Sequence, residues 1–329
     1  MTRTLFRCLL ALLIFGLSVL RCDATQWNGS IANRPMDEWV KAENGLILIW
    51  DRANAKSAEA SMIKIFDNQG QPLVSFEILG LVPGATISAA HDVSAVRDKI
   101  VAVSATYVNG QNGVPAAVLL IFDFKGKLIS ATALDPSREI SYLAVDDDSK
   151  VWTVPFSAGG KDPKDVPMVV EYDSQGNVAR EVLTRNLFPA HATNIKQNSL
   201  DGAVAVGCVS DVFWVWLPSS TDLVEIRTKD GVVTKRTTTG LPSAESGSVV
   251  PLSVAREASG AIIAQVRIPA KESGGKSTLA EYKWSPASGS WTEINPVPCN
   301  GARLIGIHGT EQTYLRNDNS SALCTSSSN

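Results

Sequence analysis

Short apolar runs recur along this chain. Each enters a turn rich in Asp, Asn, Ser and Gly and leaves as a second apolar or alternating run. Ile65-Phe66-Asp67-Asn68-Gln69-Gly70 leads into Leu73-Val74-Ser75-Phe76, and Ile121-Phe122-Asp123-Phe124-Lys125-Gly126 into Leu128-Ile129. Glu171-Tyr172-Asp173-Ser174-Gln175-Gly176 leads into Val178. Ile226-Arg227-Thr228-Lys229-Asp230-Gly231 and Tyr282-Lys283-Trp284, the latter running on to Gly289 and Trp291, are degenerate copies. The turn glycines are 56, 50, 55 and 58 residues apart. Such a unit predicts a β-hairpin: the Asp or Asn side chain bonds its own backbone, and Gly takes the positive φ at low cost.

Further apolar strands precede each hairpin. Leu46–Trp50, Ile100–Ser104, Val151–Val154, Val212–Leu217 and Ile262–Val266 form one set; Ile87–Val96, Ile140–Val145, Ala203–Val209 and Val249–Val254 form another. Four strands in each period of 50 to 58 residues predict an all-β protein, a β-propeller of four-stranded antiparallel blades. Before Leu46 the first repeat offers no convincing innermost strand, whereas Ala302–Ile307 is an apolar strand without a partner. The expectation is five blades, with the ring closed by pairing the N- and C-terminal strands. Gln312–Leu315 would be one strand too many, which keeps six blades open. Pro35–Ala42 follows Asn33 and carries Asp37 and Glu38, a pattern that predicts a short helix. The expected division is a leader at 1–24, a capping segment at 25–44, the propeller at 45–316 and a loose polar tail at 317–329.

The N-terminus reads as an export signal. Arg3 and Arg7 precede an apolar run from Leu9 to Leu20, too short for a comfortable membrane span, and Cys22-Asp23-Ala24 offers a small residue for cleavage after Ala24. An uncleaved anchor and lipidation of Cys22 are the alternatives; Arg21 stands where the lipidation pattern favours a small residue. Secreted or periplasmic location is therefore expected, with no transmembrane segment in the mature chain. Three cysteines would remain. In an oxidising compartment Cys299 and Cys324, twenty-five residues apart, are the expected disulfide, worth about 3 kcal/mol of loop closure. Cys208, within Ala-Val-Gly-Cys-Val, reads as a buried thiol.

The Ile-Phe-Asp-x-x-Gly-x-x-Leu hairpins resemble those of NHL-like and six-bladed bacterial extracytoplasmic propellers over residues 45–308, departing at Thr228 and Trp284. The resemblance implies the fold, in a group that includes binding scaffolds, lactonase-like hydrolases and lyases. The net charge of −3, about −5 after cleavage, gives no general attraction to phosphate backbones, and nucleic acid is not an expected partner. No Gly-x-Ser-x-Gly, His-Glu-x-x-His or phosphate-loop pattern occurs.

The candidate ligand-binding residues are His91, Asp92 and His191. His91 and Asp92 begin an inner strand, and His191 lies in a connection expected on the same face of the ring; His308 falls on the opposite face. Asp67, Asp123 and Asp173 read as turn residues, Asp146-Asp147-Asp148 as a turn that could alternatively hold a cation, and Trp214 and Trp216 as core or, if exposed, a stacking platform. No catalytic residue, metal ligand or cofactor is assigned. The expected function is a monomeric binding or interaction module for a protein, peptide or carbohydrate ligand. The alternative is a lactonase-like hydrolase or lyase with a metal in the central channel.

Overall fold

The computed structural model describes residues 24–30, 38–51, 62–111, 113–134, 139–156, 167–184, 193–194, 199–200, 205–217, 221–242, 249–270, 275–295, 297–316 and 322–327. The chain is built from four-stranded antiparallel units. The first comprises β2 (Glu38–Glu43), β3 (Leu46–Asp51), β4 (Met62–Asp67) and β5 (Pro72–Glu77), following β1 (Ala24–Ser30). The second comprises β6 (Ala85–Ala95), β7 (Ile100–Asn109), β8 (Pro115–Asp123) and β9 (Leu128–Ala133). The third comprises β10 (Glu139–Val145), β11 (Val151–Phe156), β12 (Pro167–Tyr172) and β13 (Val178–Thr184). A small hairpin, β14 (Thr193–Asn194) and β15 (Ser199–Leu200), precedes the fourth: β16 (Ala205–Val209), β17 (Val212–Leu217), β18 (Asp222–Arg227) and β19 (Val233–Thr238). The fifth comprises β20 (Val250–Arg256), β21 (Ile262–Ile268), β22 (Thr278–Ser285) and β23 (Ser290–Ile294).

The terminal unit uses both ends of the chain. β24 (Arg303–His308), β25 (Glu311–Leu315) and β26 (Ala322–Ser327) are completed on the far edge by β1, with Thr25 opposite Thr325. Three expectations are corrected here. Residues 38–43, inside the segment expected to cap the ring and begin as a helix, are the strand β2: Val40 and Ala42 point together onto Ile47, Ile49 and Ile305, and that apolar contact outweighs the local helix signal. Residues 322–327, expected as loose tail, are β26, whose Leu323 is fully buried. Residues 303–308 do not serve as the missing inner strand of the first unit; they lead the terminal unit and touch β2 in parallel at a single bridge, Ala42 opposite Gly306.

Among the described residues, apolar clusters lie between successive units. Leu48 and Ile65 meet Val103 and Leu120; Ile121 meets Leu143 and Val170; Trp152 and Met168 meet Phe213 and Val215. Trp216 meets Ile262 and Trp284, Ile263 meets Leu304 and Tyr314, and Ile49 meets Leu315 and Leu323. Middle strands are therefore buried on both faces, as β12 is at every position, while outer strands such as β9 alternate. Trp152 stacks on Phe213 across one interface, with ring centroids 5.4 Å apart. The Trp pair expected as core is core: Trp214 and Trp216 are both buried.

The hairpin aspartates do turn chemistry. Asp67 Oδ1 accepts the amides of Gln69 and Gln71; Asp123 and Asp173 repeat the geometry on Lys125 and Lys127 and on Gln175 and Asn177. Asp146 makes the same turn on the amides of Asp148 and Lys150, and its other oxygen accepts the Trp152 indole N–H. The glycines that close the hairpins have a second reason to be glycine. A Cβ on Gly126, Gly176 or Gly231 would fall within 2.8 Å of Phe76, Thr132 or Arg180, on the outer strand of the preceding unit.

Cys299 and Cys324 form the expected disulfide, tying a 3₁₀ turn at Pro298–Gly301 to β26. Cys208 is half-buried and carries no disulfide.

At Gly306 an added Cβ would lie 1.7 Å from the Ala42 carbonyl oxygen, so the β2–β24 bridge admits only glycine. Gly306→Ala is expected to lower stability by about 3 kcal/mol or more, at the upper end of overpacking costs. Gly80→Ala, where nothing lies within 4 Å, should change it by less than about 0.5 kcal/mol. Urea unfolding of the two variants checks both values, and equal midpoints would refute the account.

Candidate functional site

Residues of β2, β6, β10, β16, β20 and β24 converge on a cavity of about 740 Å³, within the range of small-molecule sites. Trp39 and Lys41 come from β2, His91 and Asp92 from β6, Ser141 and Tyr142 from β10. Ala205 and Val206 come from β16, Leu252 and Ser253 from β20, Arg303 and Ile305 from β24.

Four of these strands carry an irregularity at the cavity. The register slips between Ala90 and Asp92, Ile140 and Tyr142, Pro251 and Ser253, and Leu304 and Gly306. The extra residues are His91, Ser141, Leu252 and Ile305, and all four line the cavity. A bulge inserts one residue and re-aims side chains at the end of a pairing. The repeated bulge therefore puts one extra side chain per strand at the cavity wall.

Beneath the cavity wall lies a buried ionic cluster. Lys41 Nζ is 3.0 Å from Glu43 and 3.5 Å from Asp92, and it donates to the carbonyls of Val93 and Leu143. Asp92 accepts the amides of Leu143 and Val93, while its own amide donates to Ser104. Burial pushes the Asp92 carboxyl up to about 6, against the pull of Lys41 and of the Leu143 amide. His91 Nε2 lies 2.7 Å from the Thr106 hydroxyl, and desolvation lowers the imidazole from its ordinary value. Trp50, 4% exposed, also lines the cavity, and its indole N–H has no hydrogen-bond partner among the described residues.

Of the sequence candidates, the structure brings His91 and Asp92 together in the lining. His191 lies outside the described residues. His308 ends β24 beside the Gly45 turn, at the end of β2 and β24 away from the cavity. Lys41, Trp50 and Arg303 were missed. The first was assigned to a helix, and the other two carry no local signal beyond sitting at a strand end. Among the described residues no cluster of three or more His, Cys, Asp or Glu side chains is placed to hold a metal ion.

No family model matches the chain, and no curated protein matches it in sequence. Solved structures do match in fold. A candidate exported protein from Bacteroides fragilis superposes with a TM-score of 0.53 at 10% identity, covering 93% of this chain and 95% of that one. The β-propeller domain of Cps50 (Swd1) from Myceliophteria thermophila covers 93% and 100% at 7% identity and a TM-score of 0.46. A protein of unknown function from Bacteroides caccae covers 78% and 80% at 14% identity and 0.42. At such identities the likeness is one of fold alone.

Asp92 carries a sign that can be tested. Its carboxyl rises from 3.8 to about 6 on folding, so the folded state holds the proton more tightly. That contribution is fully present below pH 3.8 and is lost as pH rises through 6, by about 3 kcal/mol at about 1.4 kcal/mol per pH unit. Asp92→Asn should flatten the decline in stability between pH 4 and 6. Denaturation curves across that window check it, and parallel declines in the two proteins would exclude Asp92 as the source.

Proposed function

We propose that this protein is an exported six-bladed β-propeller that binds a small ligand in the cavity where its leading strands converge. The blade count rests on the succession of units. β6 packs against β3 and β10, β10 against β16, β16 against β20, β20 against β24, and β24 pairs with β2. Export rests on the N-terminal apolar run together with the Cys299–Cys324 disulfide, which persists in oxidising compartments.

The observation that carries the binding function is the cavity's construction. It has an apolar lining with a few converging polar groups, and an extra side chain is delivered by a bulge on each of four strands. His91 and Asp92 are its proposed ligand contacts on the second unit. Asp92 also stitches β6 to β10, and His91 is the more exposed of the two.

A thermal-shift screen of metabolites, peptides and oligosaccharides on the purified chain tests this function. A ligand at one hundred times its Kd adds about 2.7 kcal/mol, a rise of several degrees. Leu252 is 44% exposed and contributes a bulge residue, so Leu252→Trp should fill the cavity without disturbing the core. Ligands that stabilise the parent protein should leave this variant unmoved. Equal shifts in both proteins would place binding elsewhere.

A further inference from the structure

Among the described residues, every charge on the cavity wall is already engaged. The ionisable lining residues are Lys41, His91, Asp92 and Arg303. Lys41 pairs with Glu43 and Asp92 and donates to the carbonyls of Val93 and Leu143. The Asp92 oxygens accept two backbone amides besides. Arg303 holds an interaction of its own within the protein. Desolvation favours the neutral form of His91. A charged ligand would leave water and find no free counter-charge, and an unpaired charge is costly to bury.

Two neutral polar groups are left over. His91 is exposed; its Nε2 meets the Thr106 hydroxyl, and its Nδ1 has no partner among the described residues. The half-buried Ser141 has a hydroxyl likewise without a partner among them. Both are bulge residues, on the successive leading strands β6 and β10. The hydroxyls of Ser104, Thr106 and Ser253, by contrast, are in use. Nδ1 donates or accepts according to the tautomer, and the Ser141 hydroxyl does both. A ligand hydroxyl, with one proton and two lone pairs, meets His91 in either tautomer and still has capacity for Ser141. An ether oxygen only accepts. The apolar surface lies on other strands. Trp39 on β2 and Leu252 on β20 remain 40% and 44% exposed where they line the cavity, and Val206 and Val254 add to it. Exposed apolar area of this kind favours an apolar ligand body.

Resting on the binding function above, we propose that the cavity takes an uncharged amphiphilic alcohol, its hydroxyl at His91 and Ser141 and its apolar body against Trp39 and Leu252. Both polar contacts come from side chains that hold no neighbouring strand, so the ligand completes the lining without disturbing the ion pair beneath it.

The test uses the full exported chain at neutral pH with four probes of matched chain: 1-decanol, its isomer nonyl methyl ether, decanoate and decylammonium. Calorimetry and the fluorescence of the cavity tryptophans read binding. Decanol is expected to bind at least about tenfold more tightly than either ion. Over the ether its advantage should be about fivefold, the factor that one net hydrogen bond is worth. The double variant His91→Leu, Ser141→Ala should bring decanol down to the level of the ether and leave the ether within about twofold; Ser141→Ala alone should lower the decanol preference part of the way. Leu252→Trp should abolish binding of both. An ether that binds as well as decanol, an ion that binds better, or a double variant that keeps the decanol preference or loses both neutral probes would each overturn the alcohol proposal. If decanol fails while another compound shifts the parent protein and not Leu252→Trp, the alcohol proposal falls and the cavity stands as a binding site. If no compound distinguishes those two proteins, both fall.

Discussion

The leading strand of each unit has a second edge that faces its counterparts rather than its own sheet, and the structure depends on how that edge is satisfied. Backbone groups buried without partners cost about as much as a lost hydrogen bond each. Side chains from the preceding unit supply the partners. Glu43 and Asn44 take the amide and carbonyl of Ala95; Asp92 and Ser94 take the amides of Leu143 and Val145. Ser253 and Gln265 do the same for Leu304 and Ala302. The partners of Glu43, Asn44, Asp92, Ser94 and Ser253 lie 51 or 52 residues further along the chain, the same spacing in each case. Between β24 and β2 the strands themselves touch, which Gly306 makes possible by having no side chain.

This stitching places function and stability on the same residues. Lys41, Asp92 and Ser253 line the cavity and also hold one leading strand to the next. They are poor positions for varying specificity, because a change leaves a neighbour's backbone unpaired. Two of the bulge residues are the opposite case. His91 and Leu252 are exposed and satisfy no neighbouring strand edge, so their identity is open to change at little structural cost. The division separates a fixed framework from a variable lining within a few residues of each strand.

Much of the architecture was legible because it is local and repeated. The Asp-x-x-Gly hairpins announce their own turn chemistry, and three copies in register fix the period. The Cys299–Cys324 pair followed from compartment and spacing. What escaped depends on distant partners. Glu38–Glu43 is a six-residue strand whose inward apolar positions are Val40 and Ala42, and it is held by residues 263 positions or more away as well as by β3. Ala322–Ser327 hides in a serine-rich end for the same reason. At the site, His91 and Asp92 stood out as polar residues in an apolar strand, although β6 begins at Ala85 and they lie past its middle. The bulges left no trace in the sequence, since an inserted residue in a strand reads like any other.

The seam between the chain ends shows the cost of that distance. Neighbouring units are stitched across about fifty residues, but Ala42 and Gly306 close a loop about five times longer. Loop-closure entropy grows with the logarithm of length, so this contact costs about 1.5 kcal/mol more than an ordinary one. The unit that bears the cost is also braced by other means. The disulfide fastens β26, and Gln265 reaches from β21 to both sides of Leu304. The fully buried Glu281 meets the Tyr314 hydroxyl at 2.7 Å, while the same hydroxyl lies 2.6 Å from Gln312. A hydroxyl has one proton for two oxygen acceptors. A protonated Glu281 resolves this by donating to Tyr314, which then donates to Gln312. Burial raises the Glu281 carboxyl to about 7, in keeping with that arrangement. The terminal unit is thus held by a covalent bond within itself, by a buried polar chain to the unit before it and by a glycine contact to β2.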